Sequence, residues 1–235
     1  MKRIVFAAAA VAAMAFGGSA LAATNLVTNG SFEESPLGFA WTYSGSGADV
    51  GAHPAVIIPY NSTASYPGGA FGEPIPADDS TSASPDAVGD YAAYFVADNS
   101  TEKLSQSFYL DPGLYTIGFS VYVPQNGYDN SGNATFVGMV AGEALANFTV
   151  DASTPQNWVH YSGVANILVG GVYETSFTYT SGPAPAGDFV VDRVYVVAGD
   201  QTGVVPEPGT WALMIMGFGG AGVALRRSRR MAFAG

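Results

Sequence analysis

Between Tyr91 and Val197, apolar side chains recur at every second position in runs too short for helices. Tyr115, Ile117, Phe119, Val121 and Val123 share one face of such a run, with Thr116, Gly118 and Ser120 on the other. Successive side chains of an extended strand point to opposite sides, so this spacing reports a β-strand with one face against a core. Leu104, Gln106, Phe108 and Leu110 alternate in the same way with Lys103, Ser105, Ser107 and Tyr109. Asp111-Pro112-Gly113 lies between the two runs, with Pro and Gly where a tight turn wants them, and the pair reads as a hairpin. Further strands are expected over 91–96, 134–140, 144–150, 158–164, 172–180 and 188–197, and Phe39-Ala40-Trp41-Thr42-Tyr43 shows the same alternation. Short strands separated by Gly- and Pro-rich turns predict an all-β fold, an antiparallel sandwich.

The pattern lapses from 61 to 89, where Ser, Thr, Pro, Gly and Asp dominate. A connection of this length is uncommon inside a compact domain. It is expected either to carry function or to be loosely ordered.

The two ends have a different character. Lys2 and Arg3 precede an apolar run from Ile4 to Phe16, and Ala20-Leu21-Ala22 is a small-x-small cleavage site, so 1–23 reads as a secretory signal peptide. At the other end, Pro206-Glu207-Pro208 is followed by an uncharged run from Gly209 to Leu225 and then by Arg226, Arg227, Arg229 and Arg230. An apolar segment over 211–225, with Trp211 at one end and arginines as a basic stop at the other, has the layout of a short transmembrane helix. It is shorter than the roughly 20 residues of a permanent span.

The triplet, Trp211, Ala212, the apolar run and the arginines together resemble the PEP-CTERM sorting tail in its Pro-Glu-Pro-x-x-Trp-Ala variant. The resemblance covers 204–235 only. It implies recognition and processing by an exosortase near Pro206-Glu207-Pro208, in bacteria that make exopolysaccharide. It also implies an intermediate anchored in the inner membrane, followed by delivery to the cell surface or extracellular matrix. A signal helix and a short transmembrane helix would then flank one domain over 24–203.

That span is long enough to bury a sizeable core. Of the eight Lys and Arg only Lys103 and Arg193 fall within it, against all but one of the nineteen Asp and Glu. Such a surface repels nucleic acid and suits divalent cations. The absence of cysteine excludes disulfides, zinc–thiolate sites and a Cys nucleophile. His53 and His160 sit in no ligand-spaced motif. Neither a Gly-x-Ser-x-Gly elbow nor a phosphate-binding Gly-rich loop is present, and no carboxylate pair is singled out for glycoside cleavage.

Two stretches resemble the opening and closing strands of galactose-binding-like jelly rolls, a fold shared by several carbohydrate-binding modules. They are Asn29-Gly30-Ser31-Phe32-Glu33 and Phe189-Val190-Val191-Asp192-Arg193-Val194-Tyr195-Val196. In a regular strand Val190, Asp192, Val194 and Val196 share a face, so Asp192 is expected to be partly buried and to need a partner. Arg193 would point the other way. The resemblance implies a structural calcium held by Glu33 and Asp192 together with backbone carbonyls, and calcium does favour hard oxygen ligands. It also implies sugar binding on exposed aromatic platforms, for which Trp41, Tyr43 and Trp158 are the leading candidates. The functional expectation is a non-catalytic carbohydrate- or matrix-binding protein. The alternatives are a structural or adhesive protein without a small ligand, and a glycan hydrolase.

Overall fold

The computed structural model describes residues 23–36 and 38–199. Residues 1–22 of the proposed 1–23 signal peptide and the whole sorting tail, including Pro206, Glu207, Pro208, Trp211, Ala212 and the four arginines, lie outside the described residues. No helix among the described residues is long and apolar enough to cross a membrane.

Ten strands are described: β1 (Thr42–Gly47), β2 (Val56–Pro59), β3 (Tyr91–Phe95), β4 (Ser100–Leu110), β5 (Gly113–Tyr122), β6 (Ala134–Val140), β7 (Glu143–Thr149), β8 (Val159–Ile167), β9 (Gly171–Ser181) and β10 (Phe189–Ala198). A single helical turn, α1 (Gln125–Tyr128), follows β5. The strands form two five-stranded sheets, β1-β4-β9-β6-β7 and β2-β3-β10-β5-β8. Every named pairing is antiparallel. The all-β sandwich expected from the alternation is the fold observed.

The expected β4–β5 hairpin is not. β4 pairs with β1 and β9, and β5 with β10 and β8, so the turn at Asp111-Pro112 carries the chain from one sheet to the other. Alternation shows which residues face the core but not whether the next strand lies beside or across from it. The true hairpin joins β6 to β7 through Ala141 (φ 50°) and Gly142 (φ 82°), two successive positive φ values of the kind a tight hairpin turn requires.

The space between the sheets is filled by aromatic rings. Phe119 meets Phe177 edge-on at 5.0 Å and lies near Phe136 and Tyr161, while Phe136 contacts Phe189 at 5.1 Å. Gly138 sits directly beneath Phe119, where a side-chain carbon would collide with the ring.

A second apolar cluster lies on the outer face of the β2-β3-β10-β5-β8 sheet. Ala92, Tyr94, Val96, Tyr122 and Val190 alternate along their strands with residues of the main core, and Ile58 and Trp158 join them. The 61–89 connection covers this cluster. It inserts Ala70 and Ile75, both 1% exposed, and its Asn61 amide donates to the Ile75 carbonyl at 2.8 Å. Of the two expectations for this stretch, function or loose order, the second does not hold: it is a packed layer. This explains why Ser120, on the supposed polar face of β5, is also buried against Ser80, whereas Thr116 on the same face is covered by the chain after β10, bonding the Gly199 carbonyl.

β10 departs from a regular strand. Its register with β5 shifts between Asp192 and Tyr195, and Arg193 there takes φ 51°. This bulge moves one residue out of step. Val190 therefore faces the outer cluster, whereas Val194 and Val196 enter the main core. The expectation that Val190, Asp192, Val194 and Val196 share one face is thus corrected. Arg193 does not point away from the covering layer either, because its Nη1 lies 3.5 Å from the Ser80 carbonyl of that layer.

Candidate functional site

The outer cluster ends at a cavity of about 250 Å3, lined among others by Asp49, His53, Phe71, Asp98, Asn126, Asn130 and Asp188. Five separate parts of the chain converge there. Asp98 follows β3, and its Oδ1 accepts the Ala186 amide at 2.6 Å. The Asp98 amide donates to Asp49 Oδ2 at 3.1 Å, and the same oxygen lies 2.7 Å from His53 Nδ1. Asp188 precedes β10, and Tyr94 of β3 donates its hydroxyl to Asp188 Oδ2 at 2.5 Å. Helix α1 leans on Asp188 through Gly127, where an added Cβ would stand 2.6 Å from the Asp188 Cβ. Asn130 Nδ2 donates to the Ala186 carbonyl at 2.5 Å.

The covering layer builds the remaining wall. Glu73 accepts the amides of Gln125 (2.9 Å) and Asn126 (2.8 Å), which ties α1 to the cover. Phe71 stacks on Tyr66 at 5.8 Å and lies beside His53. Phe71 holds φ 50° and leaves 45% of its surface exposed. A bulky residue held in the left-handed region costs energy and clusters at functional positions.

The electrostatics of the cavity are one-sided. Its lining includes three carboxylates and no lysine or arginine. Burial pushes the Asp188 carboxyl up to about 7, against the Tyr94 hydrogen bond and with help from the charges of Asp98 and Glu73. Burial also works against ionised Asp49, but the Asp98 amide and His53 outweigh it and hold that carboxyl below its ordinary value.

The residues singled out from sequence fall elsewhere. Trp158 is 9% exposed beneath the cover, between Tyr60 and Tyr122, with its Nε1 donating to the Pro76 carbonyl at 2.8 Å. As the structure stands it is core rather than an exposed platform. Trp41 and Tyr43 do come together, lining a shallow hollow with Pro67 and Leu104. Trp41 packs on Phe32 and Phe177, and Tyr43 donates to Glu102 Oε1 at 2.6 Å. The polar side-chain groups of that lining, the Tyr43 hydroxyl and the Trp41 indole N–H, already donate to Glu102 and to the Asn29 carbonyl.

Asp192 is fully buried. Its Oδ2 accepts from Tyr60, while its Oδ1 has no hydrogen-bond partner. Burial above all, with the charges of Asp78 and Glu33, drives its carboxyl well above the usual range. Glu33 instead uses Oε1 to accept the amides of Asp90 (2.9 Å) and Tyr91 (2.8 Å). The two acids share no hydrogen-bond partner, and no group of three or more His, Asp or Glu among the described residues is arranged to hold a metal ion. The orphaned Asp192 oxygen is the feature that suits a cation.

A further polar chain runs beneath the cover. Ser80 Oγ lies 3.1 Å from Ser120 Oγ, Ser120 Oγ 3.2 Å from His160 Nδ1, and His160 Nε2 3.1 Å from the Tyr195 hydroxyl. Burial, with Arg193 nearby, lowers the His160 pKa despite Asp78. Ser120 is fully buried, and no carboxylate bonds to the imidazole, so this chain satisfies polar groups instead of forming a nucleophile.

Sequence inspection missed the cavity's acids because they lie in turns without periodicity. One available signal was Phe71, a lone phenylalanine within the polar 61–89 stretch.

Residues 204–230 match the family model of the PEP-CTERM protein-sorting motif. The chain is therefore an exported surface protein whose described part is a two-sheet antiparallel β-sandwich. No curated protein matches it. Among solved structures it is similar to a family 61 carbohydrate-binding module in complex with β-1,4-galactotriose (21% identity, 75% of this chain and 99% of that one, TM-score 0.42). It is also similar to the CBM22-2 xylan-binding domain of Xyn10C from Paenibacillus barcinonensis (9%, 72% and 98%, TM-score 0.38). A third similarity is to the K1 cleaved adhesin domain of Lys-gingipain from Porphyromonas gingivalis (15%, 72% and 96%, TM-score 0.40). At these identities and scores, the ligands named for those proteins do not transfer to this chain.

Proposed function

We propose that this is an exosortase-processed, non-catalytic protein of the cell surface or exopolysaccharide matrix that binds carbohydrate in the Phe71 cavity. The observation that carries the proposal is Phe71 itself, held at positive φ and nearly half exposed beside convergent carboxylates and amides. Sugar sites join one flat apolar surface to a few fixed polar groups, and this cavity has both. A glycan array probed with the purified chain and with Phe71→Ala tests it. Binding that the variant loses is expected. An array without hits, or hits that the variant retains, would overturn the assignment.

A structural calcium at Asp192, with Glu33 as second ligand, belongs to the same proposal and rests on the unpartnered Asp192 Oδ1. Calcium that binds only the folded state should raise the melting temperature, and chelator should lower it. Asp192→Ala should abolish that response. A wild-type chain whose melting ignores both calcium and chelator would show that a proton, not a metal, satisfies this carboxyl.

A structural or adhesive role has its own supporting observation. Ser46, Thr101, Thr180, Thr135 and Thr149 stand abreast across all five strands of the β1-β4-β9-β6-β7 sheet, on its outer face. A flat hydroxyl face suits contact with an extended polymer. Adhesion to the producer's polysaccharide that survives Phe71→Ala would favour it. Turnover of labelled polysaccharide would instead point to a hydrolase.

A further inference from the structure

We propose that the Phe71 cavity selects amino sugars carrying a free primary ammonium over neutral, N-acetylated or acidic sugars. This rests on the carbohydrate assignment above and adds the chemistry of the ligand.

Each of the three lining acids has one oxygen engaged and one free. Asp188 uses Oδ2 with Tyr94, Asp98 uses Oδ1 with the Ala186 amide, and Asp49 uses Oδ2 with His53 and the Asp98 amide. Asp188 Oδ1, Asp98 Oδ2 and Asp49 Oδ1 have no hydrogen bond among the described residues. Asp188 is only 3% exposed, and what remains open of it lines the cavity. These oxygens are open to the cavity, where a ligand that brings donors can bond them. A primary ammonium brings three donors and a positive charge.

The lining offers no competing cation. His53 is its one basic side chain, and that ring already pairs with Asp49. A bare metal ion fits poorly, since no three of these groups gather closely enough to coordinate one. A larger ligand that spreads its donors fits better. The flat Phe71 ring, with Asn126 and Asn130 nearby, suits a hydroxylated ring and not a flexible lysine chain. Acidic sugars would meet a wall of carboxyl groups with no lysine or arginine to offset it.

The test is calorimetric titration of the full chain, in detergent, with chitosan oligosaccharides, their fully N-acetylated counterparts and cello-oligosaccharides. The chitosan series should bind tighter by about tenfold or more, the weight of one charge-assisted hydrogen bond. Asp98→Asn and, independently, Asp49→Asn should reduce that advantage. Phe71→Ala should weaken all the sugars alike. Equal binding of the three series would overturn the amine preference while leaving the carbohydrate assignment standing, and no binding of any would remove both. Nα-acetyl-lysine amide is the remaining arm. If it bound as tightly as the chitosan series, the cavity would be reading ammonium without the sugar ring, and the amino-sugar assignment would fall.

Discussion

Asp188 ties the cavity's chemistry to the stability of the fold. Its carboxyl is pushed up to about 7 from an ordinary 3.8, with Tyr94, Asp98 and Glu73 as its facing groups. Between those two values the folded chain holds a proton that the unfolded chain has released. Stability is therefore greatest on the acid side of this window and falls as pH rises through about 7. At roughly 1.4 kcal/mol per unit, ionising Asp188 costs the fold on the order of a few kcal/mol. Thermal melting of the chain should thus be higher near about pH 5 than near about pH 8, and Asp188→Asn should flatten that difference. The raised carboxyls of Glu102 and Asp192 stay in the variant, so a difference left unchanged would mean that Asp188 is not its source. Gly138 gives a second test at this scale. A methyl there collides with Phe119 in the centre of the aromatic core, and overpacking of this kind costs about 1–3 kcal/mol. Gly138→Ala should lower the denaturant midpoint without changing the slope. None of this was legible in the sequence. An aspartate before a strand and a glycine within one look the same whether or not a ring or a tyrosine lies across from them.

The 61–89 segment and the β10 bulge are elements whose form depends on what they pack against. The segment has no alternation because it is neither strand nor helix. It is nevertheless held, through Ile75 in the outer cluster, Glu73 on the amides of α1 and the Asn61–Ile75 backbone bond. Removing the Glu73 carboxylate leaves those amides without their acceptor. Glu73→Ala should therefore speed hydrogen exchange at 125–126 and across the cover, while the paired core of β4 and β9 keeps its protection. Ile75→Ala, which empties a fully buried position, should cost about 2–5 kcal/mol. If the segment stayed equally protected in both variants, the cover would be held by something other than these contacts. For β10, strict period two was the wrong ruler past Arg193. A bulge inserts a residue that pattern analysis cannot see, and it redirects Val194 and Val196 into the main core.

At the scale of the whole molecule, a basic-ended sorting tail and a domain with almost no basic residues serve different stages of one life history. Replacing Pro206-Glu207-Pro208 with alanines should leave an uncleaved, membrane-associated chain in the native host, detected by fractionation and mass. Unchanged release of the variant would place processing elsewhere. The tail was legible because a sorting signal is read as a linear string, and residues 204–230 match such a model without reference to any fold. The sandwich was legible for a related reason: alternation is a local consequence of burying one side of a strand, so the strands announced themselves. Which strands pair was not. β4 and β5 are adjacent in sequence yet lie in opposite sheets, because the choice rests on how two faces fill a common core. The cavity was the least legible part, since Asp49, Phe71, Asp98 and Asp188 come from four turns that meet only when the cover closes over the sheet. Strand positions and the export address follow from local chemistry along the chain. Strand partners, the bulge and the acidic cavity follow from contacts between distant residues, and those exist only once the sheets have stacked.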